Sequence, residues 1–149
     1  MKMLVLNGPN LNLLGIREPA LYGAKSYQAL EDEIRQAARE ADVQVEIFQS
    51  NHEGALVDKL QAALGQFDGV IINPAAYTHT SVALLDALKA IALPAIEVHL
   101  TQVDAREDFR KVSFVRAACL ATIVGHGFAG YTEAIKRLKA HIEAQKPSP

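Results

Sequence analysis

An arginine and a tyrosine, Arg17 and Tyr22, lie five residues apart in a segment that interrupts regular structure. The segment covers residues 6–23 and reads LNGPNLNLLGIREPALYG. Its glycines, prolines and asparagines disfavour helix and strand, and its leucines and isoleucine favour an ordered loop. A phenol becomes a base only by losing a proton whose reference pKa is about 10, and a nearby guanidinium favours the phenolate. The loop indicates an acid–base site, with a merely packing role for Tyr22 as the alternative.

Polar side chains also stand at the ends of the later predicted strands. They are Asn51, His52 and Glu53, then Asn73, Tyr77 and His79, then Glu97, His99, Thr101, Arg106 and Arg110. Glu97 and His99 share one face of a strand, so the carboxylate can hold one imidazole nitrogen and leave the other to donate a proton. Asn73 precedes a proline and is therefore extended, which points its carboxamide into the crevice. A structural Glu97–His99 hydrogen bond, a turn-forming Asn73 and a helix-capping His79 remain open.

Two further residues have plain structural interpretations. Asp86 lies on the polar side of a predicted helix, which predicts a solvated surface charge. Cys119 lies in the apolar run AACLATIVG, which predicts a core thiol rather than a nucleophile. A single cysteine allows no disulfide within the chain, which is typical of a reducing compartment.

The composition favours one globular domain over residues 1–149, because half of the residues are hydrophobic. A net charge of −2 argues against nucleic acid or an anionic membrane as partner. The apolar run at the N-terminus is too short for a signal peptide, and no apolar stretch reaches the length of a membrane span. We therefore expect a cytoplasmic protein.

The elements that must position these side chains alternate along the chain. Strands are predicted at residues 3–6, 43–49, 69–72, 94–100 and 119–124. Helices are predicted from Ser26 to residue 41, over 53–64 with Ser50 or Asn51 as cap, over 82–91 with Ser81 as cap, and from GHGFAGY to about residue 145. A short helix is expected to end near Phe109, and residues 146–149 are expected to fray.

This alternation predicts an α/β fold with a parallel sheet and right-handed crossovers. Five strands in this length favour the flavodoxin-like order 2-1-3-4-5, with the second strand at an edge. Ligands of such sheets bind outside the carboxyl ends of the strands. The polar loops therefore converge on one crevice, whereas the opposite edge has ordinary turns.

Several kinds of site are disfavoured by the motifs. The chain has no GxGxxG sequence, no Walker loop and no Ser/Thr-rich flavin-phosphate loop, and Pro9 removes a backbone donor from the first loop. His52, His79 and His99 lie on different loops without the spacing of a metal site, and no GxSxG elbow occurs. Acid–base chemistry without cofactor or metal remains, with a non-enzymatic binding module as the alternative.

Four segments identify a family. LNGPNLNLLGxREPxxYG, QSNHEGALVDKLQ, INPAAYTHTSVALLDAL and EVHLTQVDAREDFR resemble, in order and spacing, the type II 3-dehydroquinate dehydratases, or type II dehydroquinases. The resemblance extends from Met3 to about Tyr131. It implies the flavodoxin-like fold, removal of water from 3-dehydroquinate to give 3-dehydroshikimate in the third step of the shikimate pathway, no cofactor or metal, and a homododecamer built as a tetramer of trimers.

The resemblance also implies roles for individual residues. The catalytic set would be Asn10, Arg17, Tyr22, Glu97, His99 and Arg106, and the substrate-binding set Asn73, His79, Asp86, Leu100, Thr101 and Arg110. Tyr22 would remove the proton alpha to the ketone, with Arg17 favouring its phenolate and Arg106 contributing nearby. Asn10 would help to hold a water at the enolate oxygen, and His99 would protonate the departing hydroxyl. Asp86 would reach the site of a neighbouring subunit, against its surface-charge interpretation.

Some positions depart from the family pattern. Thr101 stands where serine is usual, Gln102 replaces asparagine, and Asp104 replaces histidine. Asp104 is expected to bring negative charge near Arg106 and so weaken its influence on Tyr22. His126 stands where an apolar or aromatic residue is usual and is expected in a surface turn.

Overall fold

The computed structural model describes residues 1–148 and contains one five-stranded sheet. Its strands are β1 (Lys2–Asn7), β2 (Gln44–Gln49), β3 (Gly69–Asn73), β4 (Ala95–His99) and β5 (Ala121–Val124). All neighbouring strands are parallel, in the order β2-β1-β3-β4-β5. The predicted fold class, strand order and edge position of the second strand are confirmed.

Helices connect the strands. They are α1 (Pro19–Tyr22), α2 (Tyr27–Glu40), α3 (Glu53–Ala63), α4 (Val82–Ile91) and α5 (Ala129–Ala144). The predicted caps of α2 and α4 are confirmed, because Ser26 accepts a hydrogen bond from the backbone N–H of Ala29 and Ser81 accepts one from that of Leu84. Pro149, the last residue of the predicted frayed tail, lies outside the described residues.

The prediction that Ser50 or Asn51 caps α3 is wrong. His52 occupies the N-cap position, while the Ser50 hydroxyl accepts from the backbone N–H of His52. The Asn51 side-chain oxygen accepts from the backbone N–H of Asn10, 41 residues away. A contact between segments has therefore taken the side chain that local sequence assigned to the helix end.

Other element boundaries also differ from the sequence prediction. The first loop contains a 3₁₀ turn at Leu11–Leu13 and the single turn α1, which starts on a proline because that position needs no N–H donor. The predicted strand over 119–124 begins only at Ala121, because a 3₁₀ turn over Val115–Ala118 leads the chain into the sheet. In place of one helix ending near residue 109 there are 3₁₀ turns at Val103–Ala105 and Asp108–Lys111.

Both faces of the sheet are buried, which explains why its strands are continuously apolar. Met3 and Val5 of β1 pack with α2 and α5 on one face. Leu4 and Leu6 pack with α3 and α4 on the other, because successive side chains alternate across a strand. None of the helices within residues 1–148 combines the length and apolarity needed to cross a bilayer. Because both of its faces are covered by helices, the sheet supports the loops at its carboxyl edge, which are described next.

Candidate active site

A cavity lies over the carboxyl ends of β1, β3 and β4. It encloses about 530 Å³ of space, counted with its open mouth. The predicted site residues that line it are Asn10, Arg17, Tyr22, Asn73, His79, His99, Leu100, Thr101, Arg106 and Arg110. Of the predicted set, Glu97 lies buried behind His99, and Asp86 is exposed on α4. The fold therefore brings the loops after β1, β3 and β4 to one site, whereas Asn51, His52 and Glu53 after β2, which the sequence also placed there, do not line the cavity.

Two guanidinium groups contact Tyr22. Nη1 of Arg106 donates a hydrogen bond of 2.8 Å to the phenol oxygen across 84 residues of sequence. The guanidinium of Arg17 lies over the aromatic ring, 4.6 Å from its centroid. Nη2 of Arg17 is also 3.8 Å from a carboxylate oxygen of Glu18. Arg106 thus contacts the oxygen on which a phenolate charge would sit, and Arg17 contacts the ring face.

Glu107 contacts two arginines of the cavity, Arg106 and Arg110. Its Oε2 is 2.6 Å from Nε of Arg110 and 4.0 Å from Nε of Arg106. Within residues 1–148 it is the carboxylate that lies within 4.0 Å of Arg106, and the exposed Asp104 makes no such contact. The 3₁₀ turn at Val103–Ala105 puts Asp104 on the outside. Glu107 therefore takes the place that the sequence gave to Asp104 as the acidic neighbour of Arg106.

His99 and Glu97 form a buried pair at the end of β4. Nε2 of His99 is 2.7 Å from Oε1 of Glu97, which also accepts hydrogen bonds of 2.7 Å from Thr78 and Ser113. Thr122 donates to the other oxygen at 3.0 Å. Burial raises the pKa of Glu97, but the hydrogen bond and charge of His99 and the two hydroxyls outweigh it, so the pKa falls to about 2.

An ionised Glu97 only accepts hydrogen bonds, and this determines the tautomer of His99. The proton of the shared contact is on Nε2, so Nδ1 is the ring nitrogen left for the cavity. The pair can therefore deliver a proton from Nδ1 and recover it.

His79 presents a hydrogen-bond acceptor to the cavity. Burial is the main reason that its pKa lies below the usual 6.5, so the ring is neutral at neutral pH. Its Nδ1 is 2.6 Å from the carbonyl oxygen of Val112 and donates to it, which leaves Nε2 with a free lone pair. His79 does not cap α4, because Ser81 does.

Asn73 has both of the roles that the sequence left open: it forms a turn, and it lies at the crevice. Its side-chain oxygen accepts from the backbone N–H of Ala75 at 3.2 Å, which is the geometry of an Asx turn. Its side-chain nitrogen donates to the hydroxyl of Tyr131 at 2.9 Å, and the residue also lines the cavity.

The start of the first loop is held against the ends of β2 and β3. The backbone N–H of Gly8 donates to the carbonyl of Asn73 at 2.8 Å, and a Cβ on Gly8 would lie 2.3 Å from the carbonyl oxygen of Pro74. Gln49 donates to the Gly8 carbonyl at 3.1 Å and to the Asn51 side chain at 3.2 Å. Asn10 is thereby placed at the mouth of the cavity with a left-handed φ of 69°.

Several candidate groups lie away from the cavity. Burial, followed by the charge of Glu97, raises the pKa of Cys119 to about 12, so this half-buried thiol stays protonated at neutral pH. His126 is exposed and pairs with Glu133 at 2.8 Å, as expected of a surface turn. Residues 1–148 contain no group of three or more His, Cys, Asp or Glu side chains arranged to hold a metal.

Comparison with known proteins covers nearly the whole chain. Residues 1–139 match the family described as dehydroquinase class II. The chain belongs to the class II dehydroquinases. It is 50% identical over 137 residues to a 3-dehydroquinate dehydratase of Endomicrobium trichonymphae, a match covering 92% of this chain and 96% of the relative. A relative of the same name from Campylobacter jejuni is 46% identical over 156 residues, with 98% of both chains covered.

A solved structure agrees with this assignment. The type II dehydroquinase from Butyrivibrio crossotus superposes with a TM-score of 0.92 at 48% identity, covering 93% of this chain and 97% of its own. The family resemblance inferred from the four sequence segments is confirmed, and with it the membership of an enzyme family whose named relatives are dehydratases, that is, hydro-lyases.

Some residues that shape the site of this class II dehydroquinase were not singled out from the sequence. They are Gln49, Thr78, Glu107, Ser113, Arg116, Thr122 and Tyr131. Thr78 lies within the motif INPAAYTHT, which is a usable signal. Arg116, whose Nε is 3.6 Å from Glu97, acts only through a contact across the fold and has no local signature.

Proposed function

We propose that this class II dehydroquinase is a 3-dehydroquinate dehydratase. It removes water from 3-dehydroquinate to give 3-dehydroshikimate, the third step of the shikimate pathway, without cofactor or metal. The observation that carries the proposal is a phenol bonded to the guanidinium of Arg106 in the same cavity as the His99–Glu97 pair. The names of the relatives supply the substrate.

Tyr22 is the base of this reaction. Its phenolate takes the proton from the carbon alpha to the ketone, and the electron pair of that C–H bond passes to the carbonyl oxygen as an enolate. Arg106 at 2.8 Å from the phenol oxygen and Arg17 on the ring face stabilise the phenolate before the transfer. Positive charge held in place before the reaction needs no reorganisation as the charge moves.

The enolate requires a hydrogen-bond donor at its oxygen. Asn10 stands at the cavity mouth on a backbone held by Asn51 at 3.0 Å. Its carboxamide holds a water that donates to the enolate oxygen, which lowers the barrier in the way that oxyanion donors do.

His99 is the acid. When the enolate collapses to the conjugated enone, the C–O bond breaks and the hydroxyl leaves as water with the proton from Nδ1 of His99. Glu97, ionised and 2.7 Å from Nε2, keeps the ring oriented and favours the imidazolium that must form before the step. Tyr22 and His99 then exchange protons with solvent, so the enzyme returns to its starting state.

The remaining cavity residues bind the substrate. Asn73 offers an N–H and His79 a lone pair to its hydroxyls. Arg110 and the backbone of Leu100 and Thr101 complete the contacts to the hydroxyls and the carboxylate. Asp86 is exposed in the single chain, and we propose that it enters a neighbouring subunit's site in a homododecamer arranged as a tetramer of trimers.

The test is direct. Purified protein incubated with 3-dehydroquinate should produce a rise in ultraviolet absorbance as the conjugated enone forms. Absence of any rise at saturating substrate would refute the proposal and would favour a binding module on the same fold. Light scattering during size-exclusion chromatography measures the assembly, for which we expect twelve chains.

A further inference from the structure

A cluster of four polar side chains lies beneath the cavity in an otherwise apolar layer. It consists of Asn7 at the end of β1, Tyr27 at the start of α2, Asn73 at the end of β3 and Tyr131 in α5. Asn7 and Tyr131 are fully buried, and Asn73 is 2% exposed. Tyr131 occupies the centre, since its hydroxyl bonds to both asparagines. Burying such groups costs stability unless every one of them is hydrogen-bonded. The presence of the cluster therefore indicates a role other than packing.

The direction of each hydrogen bond in the cluster follows from one backbone group. The N–H of Ala75 can only donate, so the Asn73 atom 3.2 Å from it is the side-chain oxygen. The Asn73 nitrogen then donates to the Tyr131 hydroxyl at 2.9 Å. The hydroxyl proton goes to the Asn7 oxygen at 2.7 Å, and the Asn7 nitrogen donates to the Tyr27 hydroxyl at 3.3 Å.

This chain of bonds leaves one amide proton of Asn73 unused within residues 1–148. One N–H of its side chain is held by Tyr131 and the oxygen is held by Ala75, and Asn73 lines the cavity. An asparagine amide turned by 180° would exchange its donor and acceptor. The hydroxyl of Tyr131, which accepts from the nitrogen and has its own proton bound by Asn7, opposes that turn.

We propose that Tyr131 is a positioning residue that fixes the carboxamide of Asn73 so that its second N–H faces the substrate. The proposal rests on the substrate-binding role given to Asn73 above. Tyr131 reaches the cavity only through Asn73, so it has no contact with the reacting atoms. Burial raises the pKa of its phenol, so the proton that binds Asn7 is retained throughout the working pH range.

The matched experiment compares two removals of a hydroxyl from the same cluster. Tyr131→Phe breaks the bonds to Asn73 and to Asn7, whereas Tyr27→Phe breaks only the bond at the far end, to Asn7. We expect Tyr131→Phe to raise KM for 3-dehydroquinate about tenfold with kcat within about threefold, and Tyr27→Phe to leave KM within about twofold. Equal KM values for wild type and Tyr131→Phe, even with a lowered Tm, would assign the cluster a purely structural role.

A double-mutant cycle separates positioning from general loosening of the core. In an Asn73→Ala background, Tyr131→Phe should raise KM no further, because the group that it orients is already gone. A second increase of similar size in that background would overturn the proposal.

If Tyr131→Phe does not fold, Asn7→Ala removes the acceptor of the Tyr131 proton, and a KM increase in the same direction is expected. An unchanged KM for Asn7→Ala would then contradict the proposal.

The crystal structure of Tyr131→Phe gives a readout that needs no turnover. Ala75 still holds the Asn73 oxygen in this variant, so the Asn73 side chain should show a raised B-factor or a second χ2 orientation, and an unchanged, single conformation with wild-type B-factors would refute the positioning role. Failure of the proposed function is separate, because it would appear as an inactive wild-type enzyme.

Discussion

The two edges of the sheet turn the chain by different means. At the amino edge, Asp42 and Ala92 have positive φ angles of 55° and 54°, and their neighbourhoods are closed by bonds within a few residues, such as that from the Ala92 N–H to the Leu88 carbonyl. At the carboxyl edge, Asn10 and Ala75 have φ angles of 69° and 53°. Their backbone N–H groups donate instead to the side chains of Asn51 and Asn73. Similar backbone angles therefore form an ordinary turn at the amino edge and position residues of the site at the carboxyl edge.

The difference shows that unfavourable backbone conformations and buried charged groups are retained for function at the carboxyl edge of the sheet. A residue held in the left-handed region costs of order 1 kcal/mol and persists where the surroundings determine it. At the carboxyl edge the surroundings include long-range contacts, such as those of Asn10 with Asn51 and of Gly8 with Asn73. Substitutions at this edge should therefore affect activity, whereas those at the amino edge should affect stability alone.

The largest effect is expected at Tyr22. Tyr22→Phe removes the base, and kcat should fall about a thousandfold, as is common for the loss of an acid–base group, while a substrate analogue still binds. Tyr77→Phe is the matched control, because its hydroxyl donates to the Asn51 carbonyl at 2.7 Å and the residue does not line the cavity. Steady-state kinetics with analogue titration measures both, and an active Tyr22→Phe would refute the assigned role.

A glycine pair tests how tightly the carboxyl edge is packed. A Cβ on Gly8 would lie 2.3 Å from the Pro74 backbone oxygen, so Gly8→Ala should destabilise the protein by about 3 kcal/mol and lower activity. Gly54 in α3 has open space at the same position, and Gly54→Ala should stabilise by up to about 1 kcal/mol. Urea unfolding gives both values. A neutral Gly8→Ala would show that the first loop can move away from β3.

Glu97 links the site to acid stability. Its pKa of about 2 in the folded protein, against a usual 4.5, means that the folded state holds the ionised form more strongly than the unfolded chain does. The resulting stability is fully present above pH 4.5 and is lost as the pH falls towards 2. By linkage it amounts to about 3 kcal/mol.

Glu97→Gln should abolish this part of the pH dependence and reduce turnover, because the ring of His99 loses its anionic partner. Glu133→Gln removes a carboxylate paired with the exposed His126 and serves as the control, with little change expected. Urea unfolding measured between pH 2 and 6 compares the variants. An identical pH profile for Glu97→Gln and wild type would contradict the assigned ionisation.

The smallest effect is expected at the amino edge. Ala92 ends α4 at φ 54° and ψ 25°, so Ala92→Gly should stabilise by about 1 kcal/mol with kcat unchanged. Ala90→Gly, two residues earlier and within α4, should destabilise by about the same amount. At the carboxyl edge, Ala75→Gly relieves similar strain but loosens the donor that orients Asn73, so KM should rise. Thermal unfolding and kinetics together separate these outcomes, and an unchanged KM for Ala75→Gly would weaken the contrast between edges.

Much of the fold could be predicted because its signals are local. Apolar runs that continue over four or more residues indicate strands buried on both faces, and Ser26 and Ser81 stand directly before helical repeats. The alternation of strand and helix leaves few topologies, and the observed strand order is among them. The polar ends of the strands therefore had to meet at one edge. The cap of α3 was mispredicted because Asn51 is used by Asn10 in another segment.

The sequence by itself determined the strand order, the edge that carries the site and, through its motifs, the family. The tertiary structure decided which groups touch: Arg106 rather than Arg17 bonds to the phenol oxygen of Tyr22, and Glu107 rather than Asp104 pairs with Arg106. It also brought Tyr131 to Asn7 across 124 residues. Such hydrogen bonds depend on how helices and loops pack on the sheet to within a fraction of an ångström, and local residue preferences carry no information at that scale.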